Sequence, residues 1–208
     1  MLNLLRKDFI ALKSSLGMLI FCLAAFSIAF IPKHDMSIFT VGITVALAAV
    51  NMSTMIDIRN HNHNFLVTLP IRRKHIVLAK YITTIISTLF GVLASYGIHS
   101  LVKLAVPQLS KPDYSILGLF VPVGTMLVII SIYMPLFYTL SKKGTEIINV
   151  VFLIILFALI NPLTMLMKMV SEESFISGQI LFLASIGILL LLIASCYLTV
   201  HLFTRKDL

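Results

Sequence analysis

Apolar residues run along this chain in six long stretches separated by short polar breaks: Ser15–Ile31, Phe39–Met55, Ile76–Val102, Ile116–Leu140, Ile147–Met167 and Ile176–Phe203. A helix needs ~20 apolar residues to cross a hydrocarbon layer about 30 Å thick, whereas a barrel strand alternates polar and apolar residues over ~10. The pattern therefore predicts an all-α integral membrane protein with six transmembrane helices. No domain-sized hydrophilic stretch, internal repeat or low-complexity tract divides it, so residues 1–208 read as a single membrane domain. The third and sixth stretches exceed a perpendicular crossing and are expected to tilt, bend or project.

Smaller signals refine this outline. From Met1 to Lys13, Leu2, Leu4, Leu5, Phe9, Ile10 and Leu12 are interspersed with charge, the pattern of a retained amphipathic helix lying in the cytoplasmic interface rather than a cleaved leader. In the fourth stretch Pro122 and Pro135 cannot donate to the carbonyls of Gly118 and Ser131, so kinks are expected there. Asn161 and Pro162 interrupt the fifth stretch, and Ser171, Glu172, Glu173 and Ser174 then restart a helix signal. Short helices dipping in from the outer side are predicted between the fifth and sixth spans, and Pro122, Pro135, Asn161 and Pro162 mark a candidate translocation path. Gly91, Ser95 and Gly97 in the third stretch suit a close helix approach.

Composition supports the membrane class: 59% of the 208 residues are hydrophobic and 12% charged, more apolar material than a soluble core of this length buries. The formal charge of +8 is placed asymmetrically. With six spans both termini share one side, and Arg6, Lys7, Lys13, Arg59, Arg72, Arg73, Lys74, Lys80, Lys142, Lys143, Arg205 and Lys206 fall there; Lys33, Lys103, Lys111 and Lys168 fall opposite. This bias predicts that both termini and the Asp57–His75 loop are cytoplasmic, facing anionic headgroups of the lipid bilayer. No nucleic-acid reading module accompanies the charge, so no nucleic-acid partner is expected.

The chemistry of the chain is read mostly from missing motifs. No G-x-x-x-x-G-K-[ST] phosphate loop, H-E-x-x-H or G-x-S-x-G occurs, so no catalytic residue is assigned and energy has to come from a partner or a gradient. Asp57, His61, His63 and His75 form the one cluster resembling a metal site, but a spacing of two turns His61 and His63 apart, and a solvated polar loop is the expectation, with no metal. The span middles lack ionisable groups, which disfavours a proton-coupled secondary carrier, and no convergent polar constellation suggests a membrane enzyme. His99 and Lys103 near the outer end are expected to snorkel. Cys22 and Cys196 lie in spans as small packing residues.

The polar break after the second stretch is the most distinctive. Asn60–Asn64 precede Phe65-Leu-Val-Thr-Leu69, too short to span a membrane; Pro70 ends that piece, and Arg72, Arg73, Lys74 and Lys80 follow as interfacial anchors. A short apolar helix held at the cytoplasmic surface suits docking of a soluble protein through Phe65, Leu66, Leu69 and Pro70.

The order of L-L-R-K-D-F (Leu4 to Phe9), a polar loop after the second span, the string L-P-I-R-R-K-H-I-V-L-A-K-Y (Leu69 to Tyr81) and six spans resembles the permease subunits of bacterial type-2 ABC exporters over the whole chain. The string is similar to that family's L-P-(I/V)-(S/T)-R-K-x-I-V-x-x-K-Y pattern, with Arg72 where the family often has Ser or Thr. Within the family it is similar to exporters of amphipathic peptides, including phenol-soluble modulins. The resemblance implies a multi-pass protein of the bacterial cytoplasmic membrane that pairs with a second permease, identical or related, and recruits two cytoplasmic ABC ATPase subunits. ATP and Mg would be bound by those partners, with no cofactor in this chain. Met1–Lys13 would match the family's elbow helix, Phe65–Leu69 its coupling helix and Leu163–Phe175 its re-entrant helices. Non-transporting immunity or signalling proteins can share such a fold, and likeness of fold leaves that alternative open.

Overall fold

The computed structural model describes residues 2–32, 37–59, 72–106, 120–140, 144, 147–155, 157–158, 162 and 178–205. Among the described residues the regular structure is helical: α1 (Leu2–Phe30), α2 (Ser37–Arg59), α3 (Arg73–Ala105), α4 (Phe120–Thr139) and α5 (Gly178–Arg205), with further helical residues at 147–155. Each labelled helix contains an apolar stretch long enough to cross a membrane: Lys13–Phe30, Ser37–Ile58, Arg73–Ala105, Phe120–Thr139 and Phe182–Arg205. These correspond to the first, second, third, fourth and sixth expected spans. Of the fifth, Ile147–Met167, residues 147–155 and 157–158 and the exposed Pro162 are helical; Asn161 and the expected re-entrant segment Leu163–Phe175 lie outside the described residues.

The N-terminal segment departs from the expected separate elbow. Residues from Leu2 onward run directly into the first span as one helix of 29 residues, about 44 Å long at 1.5 Å per residue. No proline interrupts Leu2–Phe30, and the inner face of its first turns is held against the bundle: Leu4 and Asp8, four residues apart, are both buried, while Phe9 and Ile10 are exposed. Similarly, α2 continues past Met55 to Arg59 and takes in Asp57, expected in a loop, because cationic partners inside the bundle neutralise that carboxylate.

Helix α2 is the hub. Of its membrane-length stretch 83% is buried, against 11% for those of α1 and α5, and it packs on α3, α1 and α4. Its closest neighbour is α3, and Gly91 makes that approach possible: a Cβ built there would stand 2.8 Å from the backbone N and Cα of Ala46. Ser95 lies on the same face and donates to the Ile38 carbonyl at 2.8 Å. Gly97, the third small residue of the expected contact, has open space around it.

The apolar core joins Val50 and Ile58 of α2, Ile76 and Val77 of α3, Met126, Ile130, Tyr133 and Met134 of α4 and Phe203 of α5. Rings fix the joints, with Tyr133 edge-on to Phe152 at 5.3 Å between centroids and Tyr138 against Phe203 at 5.1 Å. Some hydroxyls inside the bundle are satisfied within their own helices: Thr44 donates to the Thr40 carbonyl, Ser87 to Thr83 and Thr88 to Thr84. The outer faces of α1 and α5 present Phe21, Ile28, Leu190 and Tyr197, a surface suited to lipid.

Candidate functional site

The polar break between α2 and α3 carries Phe65, Leu66, Leu69 and Pro70, which lie outside the described residues; its two feet are described. They are joined by a buried chain of charges. Lys80, on the third turn of α3, directs its Nζ to Asp57 Oδ2 at 2.5 Å and to Ser53 Oγ at 2.8 Å. The other oxygen of Asp57 accepts from Lys7 Nζ at 3.1 Å, and Lys7 also pairs with Asp8 at 3.3 Å. Asp8 in turn accepts from Thr83 Oγ1 at 3.1 Å. The sequence Asp8, Lys7, Asp57, Lys80 alternates in sign and sums to zero, which is how four charges tolerate a low-dielectric interior. It knits the start of α1, the end of α2 and the start of α3 into one unit.

Lys80 is therefore not a headgroup anchor. It is 3% exposed, and direct pairing with Asp57 is available only if the ammonium turns inward. Lys7 is less deeply placed: burial pulls its ammonium toward the neutral form, but Asp57 and Asp8 outweigh that and hold it above the usual lysine range. Asp57 also stands apart from any metal reading, since both its oxygens face lysines; His61 and His63 lie outside the described residues.

The other three expected anchors divide. Arg72 is exposed and extended at the N-cap of α3, its carbonyl accepting from His75 N–H at 2.8 Å, and Lys74 is exposed. Arg73 reaches the far end of α5, where its Nη1 donates to the carbonyls of Phe203 and Thr204 at 3.2 and 3.1 Å and its guanidinium lies 5.9 Å from the Phe203 ring. Carbonyls in the last turn of a helix lack partners within it, and a cation there also suits the helix dipole. Arg73 thus fastens α3 to α5 as well as lying beside the loop.

Of the expected path residues, Pro122 is buried in the first turn of α4 as described, where proline costs least, and Gly118 lies outside the described residues. Pro135 is inside α4, and the carbonyl it deprives, Ser131, has a replacement donor: Ser195 Oγ of α5 at 2.6 Å. Thr199 Oγ1 donates to the Ser195 carbonyl, so both hydroxyl protons are committed, and Tyr81 of α3 must be the donor at 2.7 Å to Ser195 and 2.9 Å to Thr199. A second cross-helix group joins Thr54 of α2 to Tyr133 of α4 at 2.8 Å and Tyr133 to Asn149 Oδ1 at 2.5 Å. Near the other end His99 does not snorkel: Nδ1 donates to the Ser95 carbonyl at 2.8 Å, leaving Nε2 to accept from Ser37 Oγ at 2.9 Å. The sequence reading missed Lys7, Asp8, Ser53, Tyr81 and Ser195 as partners. Their only signal was polarity on the inward face near the end of an apolar run, three or four residues from other inward positions.

Residues 3–204 match the model of a family described as ABC-2 family transporter protein. The chain belongs to that family. No curated protein matches it, and no solved structure does. As an ABC-2 permease it is the membrane subunit of an ABC transporter, a multi-pass protein that works with a separate ABC ATPase subunit, and the matched domain is a membrane domain rather than an ATPase.

Proposed function

We propose that this ABC-2 permease exports a hydrophobic or amphipathic substrate, a peptide in the first instance, from the bacterial cytoplasm, and that Phe65, Leu66, Leu69 and Pro70 dock the ATPase that binds ATP and Mg. The observation that carries the docking assignment is the charge chain at the feet of the loop. A segment pushed by a partner moves the membrane helices only if its ends are fixed to them, and Asp57 and Lys80, on opposite sides of the loop, are bonded directly to each other. Lys7 and Asp8 extend the unit to α1, so displacement of the loop moves three helices together.

The positive-inside bias supports cytoplasmic termini, and a pair of permeases, identical or related, completes the assembly. The ten methionines and fourteen phenylalanines are compatible with adaptable apolar surface for varied greasy cargo, although packing is the favoured role, as for the buried Met126 and Met134. Copurification from native membranes tests the reading: the tagged permease brings down an ATPase, and Phe65→Asp with Leu69→Asp abolishes that association while membrane insertion is retained. Association unchanged by the two substitutions refutes the docking assignment. A permease that inserts and assembles but leaves cargo export unaffected when deleted belongs to the immunity or signalling class instead.

A further inference from the structure

The structure assigns a binding groove for an anionic phospholipid, acyl chain inward and headgroup on Lys13, between α1, α2 and α3. A cleft of about 210 Å³ opens on the bundle surface there, more than the ~150 Å³ apolar cavity that admits benzene. Phe9, Leu16 and Leu19 of α1 and Phe90 of α3 form its walls, and the buried Ala49 of α2 is at its base. The small side chain of Ala49 leaves the space open. Ser87 adds no demand for a polar ligand, since its hydroxyl donates to the Thr83 carbonyl.

Lys13 is the one charged residue of the lining. It is the first residue of the membrane-length stretch of α1, with Phe9 of the lining one turn before it and Leu16 and Leu19 after it, and a lysine at the edge of an apolar run carries its ammonium toward the headgroups. It is exposed, and among the described residues it has no ion pair, unlike Lys7 and Lys80, whose carboxylates are accounted for. The surrounding surface is apolar and exposed, including Ile10, Ile20 and Ile86. An apolar slot lined by a single exposed ammonium, which has no ion pair among the described residues, matches an acyl chain joined to a phosphate.

The chain contains no tryptophan, so Phe90→Trp gives a fluorescent reporter in the groove without background. The full chain carrying it is reconstituted in phosphatidylcholine vesicles containing graded fractions of either brominated phosphatidylglycerol or brominated phosphatidylcholine. Quenching is expected to favour phosphatidylglycerol by about fivefold in apparent affinity, the preference given by one basic side chain near an anionic surface at ~1 kcal/mol. Lys13→Gln should bring that ratio close to one, whereas Lys74→Gln, another exposed cation, should leave it unchanged. Equal quenching by the two lipids, or a preference that survives Lys13→Gln or vanishes equally with Lys74→Gln, overturns the proposal. So does an absence of quenching by both, which would mean that protein covers the groove. Leu16→Trp supplies an independent reporter on the opposite wall if the first variant does not fold.

Discussion

Replacing Lys80 by methionine should destabilise the bundle by about 3 kcal/mol, the lower end of the range for removing one member of a buried ion pair. The lower end follows from the geometry: Asp57 loses an ammonium at 2.5 Å but keeps Lys7 at 3.1 Å. Ser53 loses its contact as well, and the apolar stem of the lysine is replaced by a side chain of similar length. In a chain of this size about 3 kcal/mol corresponds to a fall of roughly 6–12 °C in thermal midpoint. The double variant Asp57→Leu with Lys80→Met removes both buried charges, while Lys7 retains Asp8 at 3.3 Å, and it should recover most of the loss because apolar replacement of a whole buried pair is often neutral. Thermal unfolding of the four proteins in one detergent, followed by near-ultraviolet circular dichroism, gives the coupling directly. A Lys80→Met midpoint within about 1 °C of the parent, or a double variant as unstable as the sum of the singles, would refute the direct pairing.

Three further outcomes are expected. Ser195→Ala leaves the Ser131 carbonyl without its donor and should cost about 1–3 kcal/mol; adding Pro135→Ala restores a backbone N–H to that carbonyl, so thermal midpoints should show the second change compensating the first. Gly91→Ala must push α2 and α3 apart at a backbone contact and should cost about 3 kcal/mol or more, whereas Gly97→Ala, in open space, should be close to neutral in the same assay. Lys7 has a raised pKa in the folded protein, so its contribution is fully present below the unfolded value of 10.5 and disappears as pH rises through the higher folded value. Midpoints of the parent and Lys7→Met should therefore differ at neutral pH and converge above that value.

Hydropathy made the membrane crossings legible because lipid contact imposes the same requirement on every residue of an outer face, and a run such as Phe182–Arg205 shows it without reference to any partner. The small-residue contact was legible for a local reason as well, since Gly91 and Ser95 fall four apart on one face. Pro135 announced a deprived carbonyl at Ser131, but nothing in the local sequence names Ser195, 64 residues away, as the donor. The charge chain was harder still. Asp57 and Lys80 lie 23 residues apart across a polar break and Lys7 a further 50 before Asp57, so each looks alone like a solvated end of an apolar run. Only packing shows that opposite charges meet inside, which is why Lys80 reads as an anchor in sequence and is a buried partner in the fold. The unbroken α1 has the same origin: local amphipathicity suggested an interfacial helix, and inward contacts of Leu4 and Asp8 align it with the span that follows.

The grip of Arg73 on the closing carbonyls of α5 also matters to anyone handling this protein. Because α3 opens directly after the polar break, Phe203 and Thr204 stand beside the first turn of the helix that follows it. If that loop docks the ATPase as proposed, a bulky fusion joined just beyond Arg205 would begin beside the docking surface, and a failure of the two subunits to associate would then report the label instead of the permease.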